Sequence, residues 1–61
     1  MKRVVEYEIN ADERRSIHST LIKEGDSFTH AGVTFKIKRG WQRFEKYGRE
    51  IFIRVLREWS Y

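Results

Sequence analysis

Three glycines spaced eight residues apart mark the stretch from His30 to Arg49, which reads HAGVTFKIKRGWQRFEKYGR. Gly32, Gly40 and Gly48 separate short segments rich in aromatic and β-branched residues. A three-residue hairpin loop, made of a type I turn and a left-handed glycine, fits this spacing. The stretch therefore predicts an antiparallel β-meander with strands at about 26–30, 33–38, 41–46 and 50–58.

The last of these segments has two readings. Ile51, Val55 and Trp59 are spaced as on one face of a helix. However, β-branched and aromatic residues dominate 51–55, and these residues favour strands. We therefore predict a strand and keep a helix at 50–59 as the alternative.

The N-terminal third predicts a strand followed by a helix. Apolar residues alternate with polar ones at 3–9, which is typical of a strand with one buried face. Asn10 then suits a helix N-cap, with acidic residues in the first turn, and Gly25 suits the helix end. Ile17, Leu21 and Ile22 lie on one face of the intervening helix, predicted at 11–24.

These elements predict an α+β fold of order β-α-β-β-β-β, with one helix packed on a small twisted antiparallel sheet that can curl toward a half-barrel. With 61 residues, the chain forms a single domain, 1–61. The last strand, if it lies at a sheet edge, invites a homodimer through Ile51–Leu56, because so small a core needs outside support.

The composition limits the chemistry. The chain has no cysteine and only two histidines, His18 and His30, so we expect no disulfide, metal or other cofactor. Neither a signal peptide nor an apolar run of membrane-spanning length is evident, so we expect a cytoplasmic protein without membrane contact. No recognised nucleophile and base pair is present. His30 as an acid or base is the one enzymatic possibility, and we predict a non-enzymatic binding protein.

Positive charge is concentrated in the second half of the chain. Residues 36–61 carry eight basic and three acidic side chains, whereas residues 1–35 carry five and six. Basic side chains attract phosphates, and aromatic rings stack on unpaired bases. This pattern predicts binding of DNA or RNA on a basic, aromatic sheet face. The predicted site consists of Lys36, Lys38, Arg39, Trp41, Arg43 and Arg49.

Two other interpretations remain open for these residues. The lysines also fit the solvated face of an amphipathic strand, and Trp41 fits a core position. A different function is also open, that of a small inhibitor or adaptor of the kind that phages and mobile elements encode, which blocks a host protein with an acidic surface. Its predicted interface consists of Arg54, Arg57, Trp59 and Tyr61.

One segment has a local resemblance to a known motif. Arg14-Arg15, followed by Leu21-Ile22-Lys23-Glu24-Gly25 and a short strand to Gly32, resembles the alpha-L RNA-binding motif of ribosomal proteins and pseudouridine synthases. The resemblance implies a helix before Gly25 and RNA as ligand. The chain departs from the motif in its turn, which is Ala31-Gly32 rather than Asn-Gly, and in the longer interval between the glycines. We infer no membership of that family.

Overall fold

A computed structural model describes residues 2–61 and shows an all-β fold. Its six strands are β1 (Arg3–Ala11), β2 (Arg14–Leu21), β3 (Ser27–His30), β4 (Val33–Lys36), β5 (Gln42–Lys46) and β6 (Arg49–Ser60). No helix occurs within residues 2–61, and so none there is long and apolar enough to cross a membrane. The predicted α+β class and β-α-β-β-β-β order are therefore wrong.

The predicted helix at 11–24 is replaced by a hairpin. β1 continues to Ala11, and Asp12 and Glu13 form a two-residue loop in which both have positive φ, 53° and 61°. This is the backbone of a type I′ turn, which matches the twist of the strands it joins. The acidic pair that suggested a helix start is thus a turn. The helix that the alpha-L resemblance implied is also absent.

The other predicted strands are confirmed, and the helical alternative at 50–59 is wrong. The turns are tighter than predicted. Ala31-Gly32 and Tyr47-Gly48 are two-residue loops with positive φ at both positions, again as in type I′ turns. Gly40, at φ 88°, lies in the connection from β4 to β5.

The strands do not form a simple meander. One sheet has the order β2-β1-β6-β5, and β3 and β4 form a separate two-stranded sheet. Neighbouring strands β4 and β5 are not paired, whereas β6 pairs along β1 from Ser60 to Ile51. A bulge interrupts this pairing between Glu6 and Tyr7. Consequently the first strand lies in the middle of the sheet.

The core fills the space between the two sheets. Val5, Tyr7, Ile9 and Ile53 project from one face of the larger sheet and pack with Phe28 and Phe35 of the β3–β4 hairpin. The Phe28 ring lies 4.8 Å from that of Tyr7 and 5.7 Å from that of Phe35, measured between centroids. The hairpin covers only this face. The opposite face, hereafter the open face, has no second layer over it among the residues that the structure describes.

Candidate binding site on the open sheet face

The open face consists of cross-strand rows set by the register of β2, β1 and β6. Each row is centred on an even-numbered residue of β1, because odd-numbered residues there point into the core. From one end to the other, the rows are Leu21–Val4–Trp59, Ser19–Glu6–Arg57, Ile17–Glu8–Arg54 and Arg15–Asn10–Phe52. Arg43 of β5 extends the last row beyond Phe52. The face therefore carries apolar and charged rows side by side.

A buried carboxylate lies at the centre of this face. Glu8 is only 6% exposed. It accepts a hydrogen bond from Arg54 Nε at 2.8 Å, and Arg15 Nε lies 3.5 Å from its second carboxylate oxygen. A buried charge needs such partners, because losing its hydration is costly. Glu8 therefore holds two arginines of the open face in place.

The remaining arginines of the face pair with more exposed glutamates. Arg57 Nε lies 3.4 Å from a Glu6 carboxylate oxygen, and Arg43 lies 3.3 Å from Glu50. The full set of charged strand residues on the face is balanced. It consists of Arg15, Arg43, Arg54 and Arg57 against Glu6, Glu8, Glu45 and Glu50. The open face thus carries charged groups but no net charge, although the chain as a whole is at +4.

Two arginines also lie against tryptophan rings. The guanidinium carbon of Arg54 is 4.9 Å from the Trp41 ring centroid, and that of Arg57 is 4.9 Å from the Trp59 centroid. Such cation–π contacts orient both side chains. The tryptophans are 42% and 38% exposed, and they flank a bulged segment in which Leu56 is also exposed. Tryptophan and arginine are the residue types most enriched in the hot spots of protein interfaces.

The six residues predicted to bind nucleic acid are divided among several surfaces. Lys36 is exposed on the outer side of the β3–β4 hairpin, and Lys38 and Arg39 lie in the connection to β5. Arg49 forms an ion pair with Asp12 at the end of the molecule where the hairpin turns lie. Trp41 and Arg43 are on the open face, where their partners are Arg54 and Glu50. Of the six, only Trp41 and Arg43 lie on the open face.

The predicted protein-interface residues are brought together more closely. Arg54, Arg57 and Trp59 all lie on the open face of β6. Tyr61 follows the end of β6, where its backbone exchanges two hydrogen bonds with Lys2, and it is 71% exposed. Three of the four predicted residues therefore share one face of β6, although the strand predicted at 50–58 contained only Arg54 and Arg57.

Sequence reasoning missed the residues that other strands contribute to this face. The predicted helix places Ile17 and Leu21 on its buried side, yet they are 64% and 52% exposed at the sheet edge. Glu6 and Glu8 could have been assigned to this face from the sequence, since they alternate with core residues on β1 and so must share a face. Their arginine partners on β6 are about 46–51 residues away, and only the β1–β6 register brings these pairs together.

A second polar cluster lies on the covered side of the sheet. The Tyr7 hydroxyl is 2.8 Å from His30 Nδ1, and the His18 and His30 rings are 5.2 Å apart. Burial lowers the pKa of His30, and the positive charges of His18 and Lys46 lower it further, while burial raises the pKa of Tyr7. No pattern in the sequence indicates that the two histidines meet. Within residues 2–61, no third metal-ligating side chain joins them in a cluster.

This cluster joins the two sheets. Ser16 Oγ lies 2.9 Å from His18 Nε2, so each imidazole has one ring nitrogen hydrogen-bonded to a hydroxyl. Lys46 Nζ donates to the Ala31 carbonyl at 2.6 Å and links β5 to the hairpin turn.

Comparison with protein-family models, curated proteins and solved structures found no match for this chain.

Proposed function

We propose that this chain is a small non-enzymatic domain that binds another protein through the open face. The observation that carries the proposal is the pairing on that face, where Arg15, Arg43, Arg54 and Arg57 each lie close to a glutamate. Fixed arginines beside exposed tryptophans form a preorganised surface, which lowers the entropy lost on binding. A partner surface with mixed charge and an apolar patch for the tryptophans fits it.

The charge balance favours a protein over a phosphate backbone. Nucleic-acid binding draws its affinity from lysines and arginines whose charge is free to displace counterions. On the open face each guanidinium already faces a carboxylate, and a phosphate brought near would also meet Glu6, Glu45 and Glu50. An inhibitor or adaptor, the second function considered from the sequence, is therefore the form of binding that we favour.

Nucleic-acid binding remains a second candidate because of one specific feature, the basic connection between β4 and β5. Lys36, Lys38 and Arg39 are exposed, and none of them forms an ion pair within the described part of the chain. Three phosphate contacts predict a log–log salt slope of about −2 for single strands. Lys38 and Arg39 line a cavity with Leu56 and Arg57 at the margin of the open face, so the two candidates are separated by variants that each change one side chain.

The test uses two matched variants, one for each surface. Trp59→Ser changes the open face, and Lys38→Ser changes the basic connection, and both positions are exposed. Proteins captured from cells that express the chain are identified and then titrated against each purified variant. We expect the Trp59 variant to bind the partner at least tenfold more weakly, as is common for a tryptophan hot spot, and the Lys38 variant to keep the wild-type affinity.

In parallel, fluorescence polarisation measures the binding of both variants to random single- and double-stranded DNA and RNA across salt concentrations. The proposal predicts little binding and no effect of Trp59→Ser. Nucleic-acid affinity that falls with Lys38→Ser would support the second candidate. A captured protein partner that tolerates Trp59→Ser would contradict the open face as its binding site.

A further inference from the structure

The outer edge of β2 is a strand edge without a partner. Ile22 N–H donates to the Arg3 carbonyl at 2.9 Å, so the backbone groups of these two residues point toward each other between the two strands. Backbone direction alternates along an antiparallel strand, so Arg15, Ile17 and Ser19 turn their N–H and C=O groups outward. In the part of the chain that the structure describes, no backbone hydrogen bond reaches them.

This edge also lacks the features that usually protect edge strands. β2 is eight residues long and its register with β1 is continuous, without a bulge. It contains no lysine or proline, and its charged residues are confined to Arg14 and Arg15 at one end. The opposite edge strand, β5, has only five residues and carries charge at Arg43, Glu45 and Lys46. A long, regular, unprotected edge is a site for strand pairing.

We propose that β2 pairs antiparallel with β2 of a second copy of this chain, around a two-fold axis at Ile17. Only residues of the same parity can lie opposite each other, because a sheet keeps its faces across the new pair. An axis at Ile17 sets this exposed side chain opposite its own copy and sets Arg15 opposite Ser19. No like charges then lie directly opposite, and the outward backbone groups of all three residues find partners.

The second copy is favoured over a foreign strand because the edge complements itself. The apolar residue lies at the axis, and the arginine and the serine are equidistant from it, as an isologous contact requires. The product is one eight-stranded sheet with the two open faces in a single surface. One strand per copy is a small contact, so we expect dissociation in the micromolar range. This association does not depend on the proposed function of the open face.

Sedimentation across the micromolar range tests the association, with Ile17→Lys as the disrupting variant and Thr34→Lys as its control. Both positions are exposed strand residues, and Thr34 lies on the outer side of the hairpin. We expect the wild type and the Thr34 variant to dimerise, and Ile17→Lys to weaken dimerisation at least tenfold because two lysines face each other at the axis. A monomeric wild type, or an Ile17 variant that dimerises equally well, would overturn the proposal.

Single cysteines test the register, since the chain has no cysteine of its own. Two residues at position 17 would have Cα atoms about 5.5 Å apart, within disulfide range. Two residues at position 19 would be about 14 Å apart, which is beyond that range. Mild oxidation should therefore cross-link Ile17→Cys and leave Ser19→Cys monomeric. Equal cross-linking of both variants, or cross-linking of Ser19→Cys alone, would refute the axis at Ile17.

Discussion

Replacing Glu13 with glycine should stabilise this domain, and the sign of the effect distinguishes the hairpin from the helix that the sequence predicts. Glu13 has φ 61° in the turn between β1 and β2. A residue with a side chain is strained by about 1–2 kcal/mol in this left-handed region, and glycine is not. Glycine also has more freedom in the unfolded chain, which lowers the free energy of unfolding by about 0.4–1 kcal/mol. The free energy of unfolding should therefore rise by about 0.5–1 kcal/mol.

For a domain of this size, that gain raises the Tm by about 2–8 °C. Thermal unfolding followed by circular dichroism measures it, with Glu24→Gly as the control. Glu24 lies outside the strands and has no positive φ, so its replacement should destabilise slightly. In a helix spanning 11–24, glycine at position 13 would instead cost about 1 kcal/mol relative to a good helix former. A lower Tm for Glu13→Gly would therefore refute the type I′ turn.

Three further substitutions test other parts of the structure. Gly48→Val should destabilise by about 1–2 kcal/mol in chemical denaturation, because φ is 72° and open space around the glycine leaves backbone strain as the cause; unchanged stability would contradict the turn. Glu8→Ala should lower the free energy of unfolding by about 1–2 kcal/mol, which is less than the loss for a fully buried ion pair because its arginines are partly exposed. The loss should exceed that of Glu6→Ala, whose carboxylate is more exposed. Equal losses for the two variants would refute the burial argument. The lowered pKa of His30 favours its neutral form in the folded state, so stability should be full above the unfolded pKa of about 6.5 and fall as the pH drops through the folded pKa. Urea midpoints across pH should show this loss in the wild type and less of it in His30→Gln, and an equal loss in both would remove His30 as its source.

Strand positions could be predicted wherever local patterns coincide with local structure. The glycines at 32 and 48 do lie in turns, and the aromatic and β-branched residues between them do form strands. The prediction of a helix at 11–24 was wrong because Ile17 and Leu21 are four residues apart, a spacing that fits both one helical face and one strand face. Five consecutive residues from Ser16 to Thr20 are weak helix formers, and this run was the available signal for a strand.

The sheet topology and the binding face were beyond local patterns. β2 turns Ser16, His18 and Thr20 toward the covered side and its apolar residues toward the open face. The alternation of apolar and polar residues along β2 therefore predicts the opposite side as the buried one. Likewise, nothing in the sequence sets Glu8 beside Arg54, because their contact depends on the long-range pairing of β1 with β6. Charge counted along the chain therefore suggested a basic platform, whereas cross-strand pairing leaves a face without net charge.

The most direct test of the open face as a binding site is an amide-resolved nuclear magnetic resonance spectrum of the labelled chain, with and without its purified protein partner. Signals should shift or broaden along the rows that contain Val4, Glu8, Trp59 and Arg54, while the outer side of the hairpin around Thr34 stays unchanged. This follows because bound partners alter the environment of the residues they cover. Changes confined to residues 36–39, with the open face unaffected, would contradict the account.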